Sequence, residues 1–177
     1  MPGTSNNPEN RTRVMDAAKR HLTCKLYDMT LTGLDVFDST IQRTNIWLKE
    51  LMQELNWSDH RKTYLALRCV LHAVRDQLSM VDAITLGEQL PMLIRGFYFE
   101  HYTPVSKPLP LRSRTDFVSV LSNFMIRDGD SDSNAETVAR AVFRLLDKKV
   151  TDGEMQDIRH LLPGAVLDLW PPTLRAA

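Results

Sequence analysis

His21-x-x-Cys24 and Cys69-x-x-His72 are the spacings in this 177-residue chain that come nearest to a chemical signature. Residues three apart on a helix share a face, so two such pairs would supply the four nitrogen and sulfur ligands of a tetrahedral structural zinc. Asp128-Gly-Asp130-Ser-Asp132 spaces its carboxylates as a calcium loop does, with oxygen ligands at alternating positions. Neighbouring residues argue against both. In a repeat of the surrounding segment, Cys69 and His72 correspond to Ala141 and Arg144, a small buried position and a solvent-type position. The acidic loop has Ser133 where the sixth-position glycine belongs and Ala139 where the closing glutamate belongs. The expectation is therefore no metal and no cofactor, with a buried thiol, a surface imidazole and a solvated acidic turn.

Arginines offer a second kind of chemistry. Arg68 and Arg140 occupy the same position in the two copies of the repeat, each inside a helix that is otherwise apolar. With Arg95 they could line an anion pocket between the copies. The structural reading is that each guanidinium forks onto a helix C-terminus or a carboxylate. Duplication favours that reading, because packing must repeat and a ligand site need not. Phe99, His101 and Tyr102 lie beyond the matched stretch of the repeat, without a core counterpart in it, and are expected to line an interface. Lys107, Arg112 and Arg114 form a small basic group beside them, expected to be solvated. No Gly-rich phosphate loop, Ser-His-Asp set or carboxylate pair stands out, so no catalytic residue is assigned.

The elements that must hold these residues are written twice. The stretch from Ala66 to Tyr98 falls on Val138 to Trp170 at a constant offset of 72, without a gap. Leu71 meets Phe143, Leu90 meets Leu162, Pro91 meets Pro163 and Tyr98 meets Trp170. The first helix opens near Asp35 and carries Leu48, Leu51, Met52 and Leu55 inward at helical spacing. Phe117, Val120, Leu121 and Phe124 match these at an offset of 69, which makes the loop Arg127 to Asn134 three residues longer than its counterpart. Ser58 or Asp59 is expected to cap a helix from about His60 to Gln77, and Ser79 the next one. Pro91 either kinks that helix or opens another, over Met92 to Tyr102. Ser113, Ser133 and Thr151 are expected to cap the helices of the second copy. Thr103 to Arg112 reads as an extended linker. No segment alternates as a strand does, so the expected fold is all-α: two homologous three- to four-helix repeats, about 35–102 and 113–172, packed with approximate internal two-fold symmetry. Each copy alone is near the lower size limit for a core, so the two should share one that includes Leu71, Val74, Leu90, Val142, Leu145 and Leu162.

Composition narrows the function. With 22 basic and 22 acidic residues the chain has no net charge, which argues against a nucleic-acid binder. Its apolar runs are short and interrupted, so no membrane span is expected. MPGTSNNPENRTRV lacks the apolar core of a signal peptide, and two cysteines make no disulfide framework; a cytoplasmic setting is expected. Residues 1–10 read as disordered, and residues 11–27 as a weak amphipathic helix ended by Thr32-Gly33. Residues 1–28 are expected to be a dispensable extension, with Met29 a candidate start and 29–177 a single helical domain.

The runs GLDVFDSTIQRTNIWLKELMQEL, YLALRCVLHAVRDQL and LGEQLPMLIRGFYFEHY, with FRLLDKKVTDGEMQDIRHLLPGAVLDLW in the second half, resemble the DUF2267 family of bacterial proteins. The likeness covers about Gly33 to Pro171. It implies a helical fold and a bacterial cytoplasmic setting, and no reaction, cofactor or catalytic residue; Cys69 stands where that family is expected to carry alanine. The leading functional expectation is a non-enzymatic scaffold that binds itself or a partner protein. A small-molecule or anion sensor is the alternative, and an enzyme of other chemistry a third.

Overall fold

The computed structural model describes residues 32–104, 111, 113–150 and 152–170. Among these residues every regular element is a helix. They are α1 Asp35–Leu55, α2 His60–Arg75, α3 Met80–Glu88, α4 Met92–Tyr98, α5 Arg114–Arg127, α6 Ala135–Lys149, α7 Asp152–Leu161 and α8 Gly164–Leu167. The chain divides into two compact units at Ser39 and Thr40, inside α1. In the first, Gly33 takes φ +73°, and both the amide and the hydroxyl of Thr32 donate to Asp38 at the start of the helix. His21, Cys24, the helix expected over 11–27, Met29, Lys107, Arg112 and the Thr151 cap lie outside the described residues.

In the second unit, local sequence accounts for most helix boundaries. The Asp59 side chain accepts the Lys62 amide and starts α2, and Ser79 accepts the Asp82 amide and starts α3. Ser113 and Asp116 form a reciprocal capping box at α5, satisfying two amides that a helix start leaves without partners. The cap of α6 differs from expectation: Asn134, not Ser133, accepts the Thr137 amide. Pro91 opens a new helix rather than kinking the previous one, and Pro163 does the same for α8 in nearly identical backbone conformation, φ −53° and −56°. Proline suits this place because the first helical amides need no intrahelical acceptor.

One apolar core takes in residues of both copies. Leu71, Val74, Leu90, Val142, Leu145 and Leu162 are all buried in it, as are Trp47, Leu51, Phe117 and Phe143. Helix α2 packs on α5 and α6, α5 also packs on α6 and α8, and α3 packs on α7. The second half of α1 is tied to α6 by Arg144–Glu54 at 2.5 Å and by Lys148 and Lys149 on Glu54 and Glu50.

The first helices of the two copies do not correspond at the offset of 69 suggested by apolar spacing. At the end of α1, Asn56 takes φ 54°, its amide bonds Gln53 O, and the Trp57 amide bonds Met52 O. At the end of α5, Gly129 takes φ 94°, its amide bonds Ile126 O, and the Asp130 amide bonds Met125 O. These are the same helix-ending bonds at an offset of 73, one helical turn away. A slip of four residues leaves the apolar stripe in place, so periodicity cannot detect it. The longer loop before α6 then arises because α6 begins about a turn later than α2 relative to its own Arg140.

Candidate functional site

The polar residues of α2 gather on one stripe. Arg68, His72, Arg75 and Asp76 stand at helical spacing while Leu67, Val70, Leu71 and Val74 go into the core. Opposite, Val120, Phe124 and Arg127 stand at the same spacing on α5. Glu100 and His101, in the turn leaving α4, close one end. Together these nine residues enclose a cleft of about 380 Å³, within the size range of small-molecule sites.

The cleft wall is braced by guanidinium groups. Arg75 is only 4 % exposed; it donates from Nε to Asp76 at 3.0 Å and from Nη1 to the Glu100 carbonyl at 3.1 Å and to the Tyr98 carbonyl. It thus satisfies carbonyls that the end of α4 leaves without intrahelical donors. Its guanidinium also lies 4.8 Å from the centre of the Tyr102 ring. Arg68 donates to Glu100 at 3.0 Å and to Asp128 at 2.6 Å. Its pKa is raised, first by the hydrogen bond to Asp128, against which burial acts. Burial would raise the Asp128 pKa, but the bonds from Arg68 and Cys69 and the charges of Arg68 and Arg127 outweigh it and hold the carboxyl below its ordinary value. Arg127 lies 5.3 Å from the Phe124 ring and has no carboxylate partner among the described residues.

Cys69 and His72 do not act together. The Cys69 thiol donates to Asp128 at 3.3 Å, and its pKa is pushed up to about 12, first by burial and then by that bond. A thiol held protonated in this way is a poor nucleophile and a poor metal ligand. His72 is not the surface imidazole expected: its Nε2 lies 2.6 Å from the Phe97 carbonyl, to which it donates. The acidic loop is tied to α2 as well, with Asp128 on Arg68 and Asp130 on Lys62 at 3.6 Å and on the turn amides of Asp132 and Ser133. Among the described residues no group of three His, Cys, Asp or Glu is placed to hold a metal ion.

The His72 pKa is lowered, first by burial, with Arg75 and Arg68 acting in the same direction and the Phe97 carbonyl and Asp76 opposing. A depressed folded-state pKa means the unfolded chain binds the proton more readily. His72 therefore contributes stability that is complete above about pH 6.5 and is lost as the pH falls below it. His72→Gln, which keeps a donor for Phe97, should flatten the loss of stability between about pH 7 and pH 5. Denaturant melts at both pH values check this; equal slopes in the two proteins would refute it.

The three arginines singled out by their place in the sequence separate. Arg68 lines the cleft, whereas Arg95 and Arg140 do not. Arg140 holds Glu136 through two bonds, at 2.9 and 3.1 Å, and the Asp168 and Leu169 carbonyls at the end of α8. The same position in the first copy thus meets two carboxylates, because His72 and Arg75 have taken the carbonyls at the end of α4. The three residues expected at an aromatic interface differ in exposure. Phe99 and Tyr102 pack against the core, Phe99 edge-on to Tyr98 at 4.7 Å and so close over Gly87 that a Cβ there would lie 2.6 Å from its ring. The Tyr102 hydroxyl is enclosed. His101 remains exposed, at φ 55° on the cleft rim, and Arg114 pairs with Glu136 at 3.6 Å. Sequence reasoning does not find Arg75, Val120, Phe124 and Arg127 as a group. The signal for Arg75 is there, since four polar residues fall on one stripe of an otherwise buried helix.

These features define an all-helical domain with a polar cleft, and no helix in it is long and apolar enough to cross a membrane among the described residues. The chain belongs to the DUF2267 family, described as uncharacterised conserved proteins, whose model matches residues 44–169. No curated protein matches it.

Proposed function

We propose that this protein is a non-enzymatic, cytoplasmic bacterial scaffold that pairs with a second copy of itself through the α3–α4 corner. The observation that carries the reading is an asymmetry between the copies. Met80, Val81, Ile84, Met92 and Leu93 are large, apolar and about half exposed, with Val81 at 67 %. Their counterparts at the offset of 72 are Asp152, Gly153, Gln156, Gly164 and Ala165. The second copy adopts its helices without large apolar groups there, so the fold does not require them. Exposed apolar clusters of this kind mark contact surfaces.

Two features favour a second copy as the occupant. Five half-exposed side chains offer roughly 400 Å² of apolar surface, enough for the centre of a standard interface of about 800 Å² per partner but only with a polar rim around it. The charges on the same elements, Asp82 and Glu88 on α3 and Arg95 on α4, are of both signs, so a two-fold axis could set Arg95 of one copy against a carboxylate of the other. Arg95 then has an interface role rather than an anion-binding one. Within the chain, approximate two-fold symmetry is part of the same reading. It is supported by the exchanged ties between copies: α5 to α2 through Asp128–Arg68, and α1 to α6 through Glu54–Arg144.

Met80→Asp combined with Ile84→Gln installs residues that the second copy already carries at these positions. Sedimentation equilibrium should show a dimer for the natural chain and a monomer for the variant, with unchanged helicity. A natural chain that is monomeric at high micromolar concentration, or a variant that still dimerises, would overturn the reading.

A further inference from the structure

We propose that the α2–α5 cleft is a binding site for a small organic carboxylate with an apolar body. This rests on other residues than the α3–α4 corner and stands independently of it.

The argument comes from the counterpart junction between α1 and α6. At the offset of 73 read from the helix ends, Val120, Phe124 and Arg127 correspond to Trp47, Leu51 and Glu54, and at the offset of 72 that relates α2 to α6, His72 corresponds to Arg144. On α1, Trp47 and Leu51 are buried, and Glu54 forms a 2.5 Å ion pair with Arg144 of α6. In the cleft each of these features is reversed. Tryptophan is replaced by the much smaller valine, which leaves space. The carboxylate of the pair becomes Arg127 and its guanidinium partner becomes His72, so the ion pair is lost and, among the described residues, the cation stands without a carboxylate beside it. The two helix pairs are not packed alike, since α2 lies close along α5 while α1 and α6 approach each other less closely; the residue differences therefore count together with the lining of the cleft itself.

The lining indicates what would enter. Arg127 is the available cation: among the described residues no carboxylate lies within ion-pair distance of it, and its charge acts on Asp128 only at longer range. Arg68 Nε is enclosed and has no acceptor. Asp76 and Glu100 already hold Arg75 and Arg68, so the lining carboxylates are neutralised and do not repel an anion strongly. Val120 and Phe124 give an apolar wall, which a bare inorganic anion would leave wet. A carboxylate on a flat or branched hydrocarbon body meets both demands: a charge-assisted contact to Arg127 and burial against Phe124. His101, exposed at the rim with φ 55°, holds a backbone conformation uncommon for a side chain of its size, as rims of binding sites often do.

The test uses the full chain, with benzoate and inorganic phosphate as probes in isothermal titration at constant ionic strength set with chloride. Benzoate is expected to bind one per chain with a Kd on the order of 1 mM, and phosphate at least about tenfold more weakly. Arg127→Gln should weaken benzoate about tenfold, and Val120→Trp, which installs the larger residue of the counterpart position, should abolish binding. Absence of saturable benzoate binding to the natural chain overturns the proposal. So does binding that persists unchanged in Arg127→Gln, which keeps the question decidable should Val120→Trp fail to fold. Phosphate binding as tight as benzoate overturns the assigned ligand class.

Discussion

Arg75→Met is expected to destabilise the protein by about 3–5 kcal/mol, the range seen when one member of a buried, hydrogen-bonded ion pair is removed. The loss has three parts. Asp76, 6 % exposed, keeps its charge beside a side chain that no longer carries one. The carbonyls of Tyr98 and Glu100 lose the donor that terminates α4. The Tyr102 ring loses the guanidinium stacked on it. Methionine keeps most of the apolar stem, so little of the effect comes from a cavity. Urea unfolding measures it, and a cost below about 1 kcal/mol would show that solvent replaces these contacts readily. A comparable change at Arg140 should cost far less, because its partners are partly exposed and surface ion pairs contribute about 0–1 kcal/mol.

The second large effect is expected at Phe143, where Phe143→Ala should cost about 3–5 kcal/mol. The ring is fully buried, stacks on Trp170 at 4.3 Å with planes 12° apart, and lies 6.4 Å from the Phe117 ring. It therefore joins α5, α6 and the end of α8 in one contact. Trp170 is also held at its edge by the bond from its Nε1 to Asp147 at 2.8 Å, which restrains it from moving into the space a removed ring leaves. A cavity that cannot collapse keeps the full penalty. Calorimetric melting of the variant is the check. A loss under about 1.5 kcal/mol, the size of a volume-conserving change, would mean that the core rearranges around the site.

The helices, most of their caps and the buried stripes were legible because they are set within a few residues of chain. Asp59, Ser79 and Ser113 cap where their short side chains reach an amide three positions on, and Leu71 and Val142 are buried because their helices have one apolar face. Pro91 and Pro163 mark helix starts because their ring removes a donor that a first turn does not need. Wherever a choice had locally equivalent alternatives, only the tertiary structure decided. The register of α5 against α1 shifted from 69 to 73 because a whole turn preserves the apolar stripe and changes only the bonds at the helix end. Asn134 displaced Ser133 as a cap for the same reason: adjacent residues, each with a suitable oxygen. Tyr102 lies beyond the stretch matched by the repeat, so its place could not be read from a counterpart; the turn after α4 folds its ring against Arg75. Arg68 and Arg140, identical in position, diverge because their partners come from distant segments: Asp128 from the end of α5 in one case, the carbonyls at the end of α8 in the other. The cleft is the extreme case. Its walls are stripes from two helices distant in the sequence, with Val120 and Phe124 on one side and Arg68, His72 and Arg75 on the other. Spacing along one chain carries no record of which two faces will meet; the packing of α2 on α5 supplies it.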